Sequence, residues 1–191
     1  MQSWNLKSSC ALLVLAALVA STATAASNEK LRIAAQARVA DSALADAQFE
    51  FTCTTGKGGA LSVAVVLPAP ESVPTFPLEK FEGPDGIGEN RMLATWSILG
   101  PRAMTVTSSI SGWRGVDGDG FLLASSRTSA KSSDLARLLK RYLADGGQPL
   151  WLVVAPPEAG AKLEAHALPS ARRTQLAMTL APCLTQVRPR P

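Results

Sequence analysis

Polar and apolar residues alternate in twos along most of the chain. In EKLRIAAQARVAD, Leu31, Ile33, Ala35, Ala37 and Val39 stand against Lys30, Arg32, Gln36 and Arg38. Period two sends successive side chains to opposite faces and predicts a half-buried strand. The alanine content leaves a helix open for this segment. AQFEFTCT puts Phe49, Phe51 and Cys53 on one face, TGKGG turns the chain, and ALSVAVVLP returns as a β-branched run ended by Pro68. That pattern predicts a hairpin with a longer loop. RMLATWSI and AMTVTSSI predict two more strands joined by the Gly-Pro turn in LGPR. FLLASS predicts another. QPLWLVVAPP is almost continuously apolar around Trp151 and predicts a strand buried on both faces. AKLEAHAL alternates again, which places Lys162, Glu164 and His166 on a solvent-facing side.

The period changes twice in the last third. SSDLARLLKRYLADGG has Ser133 as N-cap, Asp134 in the first turn and Gly146 just past the end. Leu135, Leu138, Leu139, Tyr142 and Leu143 share one helical face, and Arg137, Lys140 and Arg141 lie off it. The basic residues read as a solvated face or as a partner-binding stripe. A second helix is expected from Ser170 through ARRTQLAMTLA to Pro182, with Cys183 following. About eight strands and two helices predict an α+β domain of mostly antiparallel sheet, with both helices on one face. No internal repeat is present, so residues 26–191 form one expected domain.

Composition changes the picture at three places. The N-terminus has one charge, Lys7, then ten apolar residues (11–20), then Ala23-Thr24-Ala25. This is the layout of a secretory signal peptide over residues 1–25. The apolar run is shorter than the roughly 20 residues needed to span a bilayer. Cleavage leaves 166 residues (191 minus 25) and lowers the formal net charge from +4 by the one lysine removed. So mild an excess gives no nucleic-acid footprint. Residues 68–90 are rich in proline and glycine yet carry Phe76, Leu78 and Phe81. They predict an irregular excursion packing apolar side chains over the sheet, either a functional loop or an edge cover. Residues 187–191, a short basic tail with Arg188 and Arg190, are expected to fray.

Cysteine usage supplies the strongest structural expectation. Cys10 leaves with the signal peptide, and Cys53 and Cys183 remain. An even pair in an exported chain predicts a long-range disulfide. Two cysteines and the single histidine, His166, fall short of a closed zinc site, so no metal is expected.

Candidate chemistry is sparse. VDGDG offers Asp117 and Asp119. Counted as a calcium loop from Asp117, it has Phe121 at position 5 and Thr128 at position 12, where oxygen ligands belong. Asp-Gly favours positive φ, so the segment predicts a hairpin tip before FLLASS. TGKGG lacks the spacing of a phosphate loop, and SNEK at Ser27 sits at a terminus. No cofactor signature is present. The sequence therefore predicts an exported, non-catalytic protein of the bacterial envelope, periplasmic or secreted. It would bind another protein in the manner of an inhibitor, immunity or accessory protein. Trp96, Trp113, Phe76 and Phe81 are the candidate partner or ligand contacts. Two alternatives stand beside it. One is a small-ligand or envelope-polymer binder using Trp96, Trp113 or Trp151. The other is an enzyme of unrecognised type using Asp117, Asp119 or His166. No nucleic-acid partner and no transmembrane anchor in the mature chain are expected.

Overall fold

The computed structural model describes residues 28–55, 59–82, 92–118, 120–128, 133–144, 147–156, 158, 160–168 and 170–185. The expected signal peptide, the basic tail, Asp119 and residues 83–91 of the long loop lie outside the described residues.

Alternation becomes strand where it was read as strand. β1 (Asn28–Val39) pairs antiparallel with β2 (Ala45–Thr54), and Leu31 faces Phe51 while Ile33 faces Phe49. Cross-strand pairs of this kind fix the register, because a one-residue slip would turn the apolar set to solvent. β3 (Ala60–Leu67) continues the meander on β2. The others are β4 (Leu93–Ile98), β5 (Met104–Ser109), β6 (Ser111–Arg114), β7 (Phe121–Thr128), β8 (Leu150–Val154) and β9 (Leu163–Ala167). All join one antiparallel sheet in the order β5-β4-β8-β9-β1-β2-β3-β7-β6.

The two edge strands in that order are β5 and β6, and one residue, Ile110, separates them in the chain. A flat sheet of nine strands would hold its edges about 38 Å apart. One residue spans only about 3.5 Å. The sheet therefore curls until its edges meet. Side chains confirm the closure. Trp96 on β4 is fully buried and its Nε1 donates to Ser125 Oγ on β7 at 3.0 Å. Arg127 on β7 donates through Nη1 to Ser109 Oγ on β5, also at 3.0 Å.

Two helices close the inner face. α1 (Asp134–Ala144) packs on β4 and β5, and α2 (Arg173–Leu184) packs on β1, β2 and β3. Ser133 caps α1 as expected, its Oγ accepting from the Ala136 N–H at 3.1 Å. Leu135, Leu138, Leu139 and Tyr142 enter the same core as Phe49, Phe51 and Trp96. Cys53 at the end of β2 is bonded to Cys183 in α2, with Cα atoms 5.9 Å apart. Phe76 and Phe81 are buried and stacked at 5.3 Å, so the described half of the long loop packs its aromatics into the core.

Three expectations are corrected in detail. A ninth strand, β6, occupies residues read as the flank of a turn. β8 is buried on one face only: Leu150, Leu152 and Val154 are buried while Trp151 and Val153 are half-buried. Burial on both faces is found instead in the middle of β3, where Val63 and Val65 point inward and Ala64 and Val66 are covered on the outer side, and in the paired first half of β7, Phe121 to Ser125. α2 begins at Arg173 and contains Pro182 and Cys183. Proline is tolerated there because it sits in the last turn, where only one intrahelical bond is lost. Thr185 then closes the end by donating its N–H to the Ala181 carbonyl at 2.9 Å.

Candidate functional site

The feature that sets this surface apart grows from the bend at Ile110. Val106, Ser108, Ile110 and Gly112 are all buried, while Thr105, Thr107, Ser109 and Trp113 are exposed. The alternation thus runs unbroken from β5 into β6. The two strands are one run that changes partner at its bend. Its first half pairs with β4 and its second half with β7.

A strand that gives each half to a different neighbour leaves two wedges. One lies between β6 and the rest of the sheet. There the chain supplies its own filler, because Glu82 bridges Gly112 as a parallel partner and Arg114 Nε reaches Glu82 Oε1 at 3.3 Å. Gly112 is required at that crowded spot, since a Cβ would stand 2.6 Å from the Phe121 ring. The other wedge lies between β5 and the far half of β7. Residues 111–114 of β6 cover residues 121–124 of β7 and no further. Past Ala124, β7 has β3 on one side and no paired strand on the other among the described residues.

This second wedge is a groove of about 510 Å³. Thr107, Ser108 and Ser109 line one bank, Ser126 and Arg127 the other, and Leu93 flanks it. A smaller cavity of about 290 Å³ continues it past Arg127 to Ser133 and Asp134 at the start of α1. The banks are hydroxyl-rich, and each is a strand edge offering backbone N–H and C=O groups. Arg127 spans the gap to Ser109 and also donates to its neighbour's carbonyl, Ser126 O, at 3.1 Å. It forms no ion pair with a described carboxylate. Asp134, the acid nearest along the groove lining, is paired with Arg137.

A separate cavity of about 310 Å³ lies where α1 ends and α2 begins, lined by Tyr142, Gln148, His166, Ser170 and Arg173. The Arg173 guanidinium stands 4.9 Å over the Tyr142 ring, and its Nε donates to the Leu143 carbonyl at 3.3 Å. Burial raises the Tyr142 phenol above its ordinary range, and the Arg173 charge offsets part of that rise. Arg173 Nη2 is buried with no hydrogen-bond partner among the described residues.

The candidates from sequence fall in different places. Trp96, Phe76 and Phe81 are in the core; Trp113 is 43 % exposed. Trp113 lies across from Leu122, with Val66 next in register on the covered outer face. His166 is half-buried rather than solvent-facing. It stacks on Trp151 at 4.7 Å and makes no described hydrogen bond that would poise it as a base. The hairpin tip forms as expected, with Gly118 and Gly120 at positive φ and Gly115 donating its N–H to the Gly120 carbonyl at 2.7 Å. The Asp117 side chain and Asp119, on which the calcium and acid-pair readings fall, lie outside the described residues. No group of three or more described histidine, cysteine or acidic residues gathers to hold a metal. Sequence reasoning missed Thr107, Ser109, Ser126 and Arg127. They carry no motif, and the only available signal was the alternation continuing through Ile110 without a turn residue.

Comparison of the chain with protein-family models, curated proteins and solved structures gave no match.

Proposed function

We propose that the chain is an exported, non-catalytic envelope protein, periplasmic or secreted, that binds a protein partner through the groove between β5 and β7. One observation carries this reading: two strand edges, unpaired among the described residues, face each other across an accessible groove. Backbone edges of this sort recognise polypeptide, because main-chain hydrogen bonds supply affinity whatever the side chains. Export is supported by the signal-like N-terminus and by the disulfide, which persists in oxidising compartments. No helix among the described residues is long and apolar enough to cross a membrane. The absence of catalysis is supported by His166, which stacks on an indole instead of facing a nucleophile. Trp113 and Val116, both exposed, flank the β6–β7 hairpin and extend the contact surface.

The experiment is site-specific photocrosslinking in intact cells. A photoreactive residue at Thr107, in the groove, is expected to capture one dominant protein. The same residue at Met178, exposed on α2, is expected to capture far less. A blank at Thr107, or equal capture at both positions, sinks the reading. A second reading, small-ligand binding, is favoured by the 310 Å³ cavity beside Arg173 and Tyr142. Saturable quenching of tryptophan fluorescence by a glycan or peptidoglycan fragment, lost in Arg173→Met, would support it.

A further inference from the structure

We propose that the groove takes an extended segment of four to six residues as an added β-strand, and that the segment carries an acidic side chain for Arg127. This rests on the protein-binding reading above and specifies its mode and ligand chemistry. The molecule already shows the same device at its other wedge. There an extended residue of its own, Glu82, pairs with β6 and places a carboxylate by Arg114. The wedge between β5 and β7 repeats two of those elements, the strand edges and an arginine, and no described residue fills it. The uncovered part of β7, residues 125–128, is about 13 Å long, and β5, with six residues, is about 20 Å long. Those lengths set the four to six residues of the ligand.

Arg127 gives the charge preference. Among the described residues it holds only neutral acceptors, the Ser109 hydroxyl and the Ser126 carbonyl. An entering carboxylate would exchange the Ser109 bond for a charge-assisted one, which is roughly twice as strong. The same exchange moves the guanidinium off Ser109 and opens the gap to the strand. Thr107, Ser109 and Ser126 remain along the banks as small hydroxyl contacts and leave room for side chains that alternate outward.

The test uses the mature chain with its disulfide intact and a displayed library of random heptapeptides. Enriched peptides are expected to share one acidic position. The best peptide, made synthetically, is then compared with its Glu→Gln or Asp→Asn form and with a form N-methylated at alternate amides. N-methylation removes donors from the ligand and leaves the protein's fold untouched. It is expected to weaken binding at least tenfold, as is the loss of the acid. Arg127→Gln is expected to abolish the acid preference while keeping the N-methyl effect. Amide exchange in residues 105–109 should slow on binding.

No enrichment, enrichment of peptides indifferent to N-methylation, or an acid preference that survives Arg127→Gln would each overturn the proposal. Concentration-dependent self-association lost in Arg127→Gln would overturn it too, because the occupant would then be a second copy. Capture of one protein from Thr107 together with failed peptides would leave the binding reading standing and remove strand addition. Peptides that bind as expected together with a blank from Thr107 in cells would do the reverse.

Discussion

Opening the Cys53–Cys183 bridge is expected to lower stability by about 3–5 kcal/mol, and the structure says where that figure comes from. The bond joins residues 130 positions apart. Closing a loop of that length removes about 5 kcal/mol of chain entropy from the unfolded state at 25 °C, and strain trims the yield. Packing adds a smaller amount. Cys53 and Cys183 are 1 % and 5 % exposed. Replacing both by alanine deletes two buried sulfurs, at a cost on the order of 1 kcal/mol each. The helix itself should stay docked. Leu176, Leu180 and Leu184 of α2 are buried against the sheet, and burying each contributes about 1.5–3 kcal/mol.

The assay is urea unfolding followed through Trp96, whose ring lies 5.7 Å from Phe49 in the core. Three samples separate the contributions: oxidised protein, reduced protein, and Cys53→Ala/Cys183→Ala. Reduced protein keeps both sulfurs and reports the chain term alone. The double variant should fall a further 1–2 kcal/mol or so, by the packing loss. A domain of this size loses about 2–4 °C of Tm per kcal/mol, so reduction should lower Tm by about 6–20 °C. The urea slope should also rise on reduction, because an uncrosslinked unfolded chain exposes more surface. Reduced protein within 1 kcal/mol of oxidised protein (about 0.2 of the chain-entropy figure), with an unchanged slope, would refute the reasoning.

Three further outcomes follow from single contacts. Trp96→Phe leaves the fully buried Ser125 hydroxyl without its donor, and should cost about 1–3 kcal/mol in urea unfolding. Gly120→Ala should cost about 2–5 kcal/mol, because φ is +80° and a Cβ would meet the Leu67 carbonyl oxygen at 2.0 Å. Gly118→Ala, at φ +82° with nothing within 4 Å, should cost only about 1–2 kcal/mol of backbone strain, so equal losses at the two sites would count against the clash. Tyr142 has a folded pKa raised above 10.0 by burial. Its unfolded form releases the proton first, so stability should fall as pH rises above about 10 and Tyr142→Phe should flatten that decline.

How far the sequence reached is clearest strand by strand. Alternation in residues 30–39 and 47–54 marked the inward set of β1 and β2, because period two and one-sided burial are the same fact seen twice. The Ser133 cap and the leucine face of α1 were equally legible, since both are local. The disulfide was legible from counting alone. The strand order was not, because pairing β5 and β6 to different neighbours is decided by curvature, which leaves no mark on any single residue. Phe76 and Phe81 read in sequence both as packing over the sheet and as partner contacts, and only the first holds; loop aromatics look alike whether they face solvent or plug a core. Trp151 and His166 show the opposite error. A continuous apolar run suggested burial on both faces, whereas the indole covers an imidazole on a half-exposed surface.

The groove is the part no residue pattern announces, and curvature again explains it. A sheet with free edges risks pairing with other sheets. Curling brings the two edges of this sheet face to face, so each shields the other from a broad flat partner. Ile110 holds them together at one end, and the Arg127–Ser109 bond reinforces the closure right beside it. The groove opens from that closed end between two strand edges, which favours something narrow. A second folded sheet edge is too bulky, and a small solute, although it would meet Met92, Leu93 and Ala124 beside the hydroxyls, would leave most backbone groups of the two edges unpaired. A single extended strand fits both restrictions. The same bend that protects the sheet from indiscriminate pairing therefore selects the kind of partner the proposal assigns to it.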